Sequence, residues 1–326
     1  MPLLLQLVFV LCLVLVNGAP LIVRDSVGIS QAELEQFEFF AQYAGATYCY
    51  DNIHSGPGNT VSCSAEGGDC PRVESVRPMI LQGFFDIGET QTAGYVAVDN
   101  VNQLIIVAIQ GTSIASNLLD ILTDADIVRH QTDLCGTANT NDGCEIHDGF
   151  WRAAKDVQPL VESIVEVALA SHPSFKIVST GHSLGGAVAV LIGAMLRNCG
   201  KMVDIYTFGQ PHLGSVDISN YIQNQAPTQG NNYRITHYND VVPQLPEHDW
   251  GNWDHFYPEF WIKRDSGTVQ TSDMKIVTGR LYETGGNEGD KSGWGLAFDI
   301  IEGLPAHYTY FGAISGCDPN APTRKL

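Results

Sequence analysis

The chain has 326 residues, 44% of them apolar, and a formal net charge of −19. Such length and composition suit one sizeable core, and so acidic a surface repels nucleic acid and anionic lipid while leaving neutral or zwitterionic partners open. No internal repeat, low-complexity block or Pro/Ser-rich linker divides the sequence, so a single domain is expected over residues 27–326.

In chain order, the first feature is an almost wholly aliphatic run from Leu3 to Val16, followed by the small residues Asn17, Gly18 and Ala19. It is shorter than the ~20 apolar residues a membrane-spanning helix needs. The reading is a secretory signal over residues 1–19, cleaved near Ala19, with a short propeptide to about residue 26. No later stretch is apolar enough to span a bilayer. Residues 31–49 place Leu34, Phe37, Phe40, Tyr43 and Ala44 on one face and predict a helix. Strands are expected at 80–85, 93–98 and 104–109, the last two joined as a hairpin near Asp99-Asn100. Val157, Leu160, Val161, Ile164 and Ala168 mark an amphipathic helix, with Pro159 expected in its first turn. The pattern then alternates: strand 175–180, apolar helix 184–197, strand 203–208, helix 216–225, strand 233–238. That alternation predicts an α/β fold with a mostly parallel central sheet and helices packed on both faces. Ligands in such sheets sit beyond the carboxyl ends of the strands.

Once Cys12 leaves with the signal, seven cysteines remain, in a chain expected to be secreted and hence oxidised. Cys63 with Cys70, and Cys135 with Cys144, would close short loops, and Cys49 with Cys317 would tie the ends together. Spacing alone does not choose among the pairings. Cys199, at the end of an apolar helix, is expected as a buried free thiol. There is no CxxC pair and no HExxH run, so no metal site is expected.

Gly181-His182-Ser183-Leu184-Gly185 has the form Gly-x-Ser-x-Gly. The pentad alone is weak, but here it joins a strand to a buried helix, the context of a nucleophile elbow. A serine hydroxyl needs a base to take its proton and a third group to orient that base, in the chain order Ser, Asp or Glu, His. Asp240 follows strand 233–238 at the carboxyl edge of the sheet. The base is to be chosen among His212, His237, His248, His255 and His307. His307, late in the chain in a loop able to reach back over the elbow, is the choice.

From Phe37 to Cys317 the sequence resembles the fungal class 3 lipases, the filamentous-fungus triacylglycerol lipases and their feruloyl-esterase relatives. The matching pieces run in order: Phe39-Phe40-Ala41-Gln42-Tyr43, Gly111-Thr112-Ser113-Ile114, His147-Asp148-Gly149-Phe150, residues 180–186, Tyr233-Arg234-Ile235-Thr236-His237, Asn239-Asp240-Val241-Val242-Pro243, residues 257–262 and Pro305-Ala306-His307-Tyr308. The resemblance implies an α/β-hydrolase fold with a helical lid, and a triad of Ser183, Asp240 and His307. It implies the pairings Cys49–Cys317, Cys63–Cys70 and Cys135–Cys144. It also implies an oxyanion hole built by Thr112, with Leu184 at the elbow giving the other backbone N–H.

Ile114, Leu118, Leu119 and Leu122 recur at helical spacing after Thr112, where the family has its lid. The best-known lipases carry a tryptophan where Leu118 stands, and the feruloyl-esterase relatives have a more polar segment. The four aliphatics favour a lipase over a plain surface helix. The Gly- and Asp-rich stretch 285–295 is longer than usual and lies just upstream of His307. The function expected is that of a secreted triacylglycerol lipase acting on neutral lipid at an oil–water interface, with no cofactor or metal and no oligomer implied. The alternatives are a feruloyl or other soluble-ester esterase and, more distantly, an inactive hydrolase fold used for binding.

Overall fold

The computed structural model describes residues 28–112, 128–136, 143–279, 285–289, 303–319 and 321. The expected signal peptide and propeptide, and the lid residues Ile114, Leu118, Leu119 and Leu122, lie outside these residues.

Helix α1, Gln31–Gly45, opens with a capping box. The Ser30 hydroxyl accepts from Glu33 N–H at 3.2 Å, and the Glu33 carboxylate accepts from Ser30 N–H at 2.9 Å. Short helices α2, Tyr50–His54, and α3, Pro71–Val76, precede strands β1, Met79–Ile87, β2, Thr92–Asp99, and β3, Leu104–Ile109. Two three-residue strands follow, β4, Arg129–Gln131, and β5, Glu145–His147. Then come helix α4, Asp148–Ser171, strand β6, Lys176–His182, helix α5, Leu184–Asn198, and strand β7, Val203–Phe208. The chain continues through β8, Gly214–Ser215, α6, Val216–Gln225, β9, Asn232–His237, β10, Trp253–Asp254, β11, Glu259–Ile262, and β12, Met274–Val277.

Eight strands form the central sheet in the order β1-β2-β3-β6-β7-β9-β11-β12. The middle five, β3, β6, β7, β9 and β11, run parallel, and antiparallel pairings finish both edges. This is the mostly parallel sheet expected. Both faces are covered, which the alternation along β3 makes plain: Ile105, Val107 and Ile109 enter one core, and Leu104, Ile106 and Ala108 enter the other. Helices α4, α5 and α6 cover the first face, and α1 covers the second. Lodged between the sheet and α4, helix α5 is buried almost all round, which explains its lack of a polar face. A second sheet, in the order β10-β8-β5-β4, consists of strands two or three residues long.

Several expectations need correction. Pro159 lies inside α4 rather than in its first turn, because the helix starts at Asp148, where the His147 ring caps it by accepting from Gly149 N–H at 3.1 Å. The helix expected over 31–49 closes at Gly45 and gives way to a 3₁₀ turn, Ala46–Tyr48. His307 ends a helical turn, residues 303–307, rather than sitting in a loop. The three disulfides pair as the resemblance implies, and Cys199 is free. That thiol is exposed, not buried, because it lies past the last turn of α5, where the helix leaves the core. The buried position there belongs to Arg197. Its guanidinium donates to Val203 O at 2.7 and 3.0 Å, to Asn231 O at 3.0 Å and to Asn232 Oδ1 at 2.8 Å. Burial lowers its pKa to about 10, still well above neutrality.

Candidate active site

Strand β6 runs into α5 through Ser183, which sits at φ 59°, ψ −134°. A non-glycine residue rarely adopts this conformation, and it turns the side chain out of the sheet at the carboxyl edge. The turn is held by the Ser183 N–H bond to Phe208 O, 2.8 Å. It also needs Gly185, where a Cβ would run into the backbone of Ile109 and Gln110. Helix α5 therefore starts hard against the end of β3. Gly111 lies on the same seam: a Cβ there would come 3.1 Å from the Ser183 Cβ and closer still to His182 O. Thr112, the next residue, is thereby brought to the elbow. The Leu184 N–H belongs to the first turn of α5, where backbone donors have no intrahelical acceptor.

Asp240 follows β9 and is wholly buried. Its carboxylate accepts four bonds. His307 Nδ1–H reaches both oxygens at 2.9 and 3.0 Å, Val242 N–H reaches Oδ1 at 2.9 Å, and the Tyr310 hydroxyl reaches Oδ2 at 2.6 Å. Burial and the adjacent carboxylate hold the Tyr310 hydroxyl protonated, far above the usual tyrosine range. The carboxylate is thus surrounded by hydrogen-bond donors rather than by solvent. With Nδ1 donating to Asp240, His307 Nε2 carries the lone pair. Among the described residues neither that nitrogen nor Ser183 Oγ has a hydrogen-bond partner, although both are buried.

A second histidine supports the first. His182 Nε2 lies 2.8 Å from the backbone carbonyl of His307, and its Nδ1 lies 2.7 Å from the Tyr48 hydroxyl. Because a carbonyl only accepts, Nε2 carries the proton and Nδ1 accepts from Tyr48. Burial, and then the neighbouring His307, push the His182 pKa well below its usual value and keep the ring neutral. Burial likewise holds the Tyr48 proton in place. The rings of His182 and His307 lie 4.5 Å apart.

The other histidines weighed as bases are engaged elsewhere. His237 faces the carbonyls of Ala306 and Arg264 at 2.9 and 2.8 Å, and His248 faces Trp253 O at 2.6 Å. His255 donates from Nε2 to Pro243 O at 2.7 Å, and His212 pairs with Glu288 at 2.7 Å. Sequence reasoning missed Tyr48, His182 and Tyr310 as supports. His182 stands in the pentad itself, and Tyr310 lies in the aromatic run just after His307.

Among the described residues, His212, His255 and Glu288 bring potential metal-ligand atoms within 4.8 Å of one another. The two rings are stacked, with centroids 4.1 Å apart and planes 25° from parallel. Burial, then Arg234, lowers the His255 pKa. A dication there would face that guanidinium, itself buried 4.0 Å from Glu259. The donor set therefore suits an internal polar cluster better than a metal centre. No helix among the described residues is long and apolar enough to cross a membrane.

Comparison with known proteins places the chain in a family. The model for Lipase (class 3) matches residues 106–250, and that for the Lipase 3 N-terminal region matches residues 7–81. The secreted mono- and diacylglycerol lipase A of Penicillium camembertii is 34% identical over 301 residues, 91% of each chain. The secreted mono- and diacylglycerol lipase 1 of Fusarium solani is 33% identical over 302 residues, 91% of this chain and 81% of that one. Among solved structures, a mono- and diacylglycerol lipase from Aspergillus oryzae matches with TM-score 0.75 at 35% identity, covering 89% of this chain and 99% of the other. A fungal lipase structure described for an unusual buried polar cluster matches with TM-score 0.77 at 36% identity, covering 89% and 99%.

Proposed function

Because the chain belongs to the class 3 lipase family, and is therefore a secreted serine ester hydrolase of α/β-hydrolase fold, we propose that it cleaves neutral acylglycerols through an acyl-enzyme on Ser183. The observation that carries this reading is the buried Asp240–His307 pair, packed against His182, the residue before the elbow serine, with Ser183 Oγ and His307 Nε2 both without partners among the described residues. Ser183 Oγ attacks the ester carbonyl while His307 Nε2 takes its proton. Asp240 fixes the tautomer and offsets the charge that forms on the imidazole. The N–H groups of Thr112 and Leu184 receive the oxyanion. His307 then returns the proton to the leaving glycerol oxygen. Water attacks the acyl-enzyme with His307 again as base, releasing the fatty acid and restoring Ser183.

Replacing Ser183 with Ala should lower turnover of a triglyceride emulsion at least about a thousandfold. Near-normal turnover by that variant refutes the reading. Within acylglycerols, mono- and diacylglycerols are favoured as the better substrates, because relatives that match nearly the whole chain carry those substrates in their names. A panel of tri-, di- and monoglycerides with feruloyl esters tests this, and a preference for feruloyl esters would move the enzyme to the esterase side. We keep the lid reading for Ile114, Leu118, Leu119 and Leu122 on their spacing. Burying such a face against oil lowers free energy by ~25 cal/mol per Å², so the rate should jump when a short ester passes its solubility limit.

A further inference from the structure

The Gly- and Asp-rich stretch that begins at Gly285 has no part in the chemistry above. Its described portion, residues 285–289, is folded inward: Asn287 is fully buried, and Glu288 nearly so. The Asn287 side-chain Nδ2 donates to two backbone carbonyls, those of Tyr238 and Asp240, each at 2.9 Å. Its backbone is also tied, by its N–H to Glu259 Oε1 at 3.3 Å and by its carbonyl accepting from Gln244 Nε2 at 3.0 Å. Next along the chain, the Glu288 carboxylate meets His212 Nε2 at 2.7 Å, and His212 N–H is bonded to Leu245 O at 2.9 Å.

The two carbonyls held by Asn287 bracket the turn that delivers Asp240. Tyr238, at φ 38°, is a non-glycine residue with left-handed backbone, a conformation that persists only where the surroundings enforce it. Asp240 N–H closes the turn onto His237 O at 2.8 Å. The Tyr238 carbonyl also accepts from Trp261 Nε1 at 2.9 Å and that of Asp240 from Gln244 Nε2 at 3.4 Å; the Asn287 amide nitrogen, with two N–H groups on one uncharged atom, is what ties the two carbonyls to each other. The amide must present nitrogen here, since its oxygen would repel both.

We propose that Asn287 is a positioning residue for Asp240, pinned in place by the Glu288–His212 pair. The proposal rests on the reading of Asp240 as the acid that orients His307. Asn287 touches neither substrate nor base; it fixes the backbone from which the carboxylate reaches His307 Nδ1. Loosening that backbone should spoil the alignment of the pair while leaving substrate binding alone.

The test uses the full chain carrying Asn287→Asp, which keeps the side chain's shape and removes its amide donors. With a dissolved short ester, kcat should fall about tenfold or more while KM stays within about twofold. The downfield proton resonance of the Nδ1–H shared by His307 and Asp240 should shift or broaden. Glu288→Gln, which weakens the pin but keeps the donor, should change both readouts in the same direction by less. A folded Asn287→Asp variant with normal kcat overturns the proposal. So does one whose kcat falls while the resonance stays unmoved, because that marks a loss of stability only. Should Asn287→Asp not fold, a Glu288→Gln enzyme with unchanged kcat and resonance overturns it equally. Ser183→Ala separates the two claims: activity in that variant sinks the triad reading, whereas a silent Ser183→Ala beside a normal Asn287→Asp sinks only this one.

Discussion

Ser183 Oγ and His307 Nε2 are buried polar atoms without partners among the described residues, and each such atom costs about 1–3 kcal/mol when left unpaired. The surrounding bonds show how the cost is borne: Tyr310, Val242 and His307 saturate the Asp240 carboxylate, and Tyr48 and His182 hold the His307 backbone. Tyr310→Phe removes one charge-assisted bond worth about 1.5–3 kcal/mol in such settings. In the proposed mechanism the freed carboxylate holds His307 less firmly, so kcat should drop about tenfold, read on a dissolved ester with KM as the internal control. Tyr48→Phe should act mainly on stability: it leaves His182 Nδ1 buried without a donor and costs about 1–3 kcal/mol in urea unfolding. At this scale the turn at Ser183 and the pairing of Asp240 with His307 were legible, because chain order and motif constrain them; their catalytic roles belong to the proposed mechanism. The supports were not, since Tyr48, His182 and Tyr310 come from three distant stretches and meet only in the fold.

At the scale of elements, legibility followed length and period. Helix α5 announced its burial by lacking a polar face, and β1, β2, β3, β6, β7 and β9 were placed within a residue or two. Strands β11 and β12 went unread because each is four residues long, and β4, β5, β8 and β10 are too short to show any period. The buried charge that ends α5 was also invisible, because Arg197 reads as an ordinary helix-terminal cation. Its partners are carbonyls beyond the helix, so Arg197→Leu should cost about 3 kcal/mol by leaving them unpaired, measurable as a lower urea midpoint with unchanged slope. Glu74 gives a pH-dependent case. Its carboxylate accepts from the Ser64 and Cys63 N–H groups and the Ser62 and Ser64 hydroxyls, at 2.8 to 2.9 Å. These bonds, led by that from the Ser64 backbone, lower its pKa from 4.5 to about 2. The folded form is thus the stronger acid, so the stabilisation is complete above pH 4.5 and lost as pH falls towards 2. Glu74→Gln should therefore be less stable than the parent at pH 7, with the difference closing across that interval.

For the whole molecule, the longest constraint is Cys49–Cys317, which spans 268 residues. A loop of that size restricts the unfolded chain strongly, and the double Cys→Ala variant should lose about 4–5 kcal/mol. The melting temperature of the two proteins compares them directly. Spacing alone left this pairing open, and what made it legible was the likeness to class 3 lipases running from Phe37 to Cys317. The acidic surface fits the proposed action on neutral lipids rather than on charged polymers. The account stands or falls on one nucleophile, which labelling with an aryl alkylphosphonate ester and peptide mapping by mass spectrometry test most directly. The expected result is a single adduct per chain, carried by Ser183 and formed far more slowly in a His307→Ala variant. A folded, active enzyme that takes up no label at Ser183, or is labelled elsewhere with loss of activity, contradicts it.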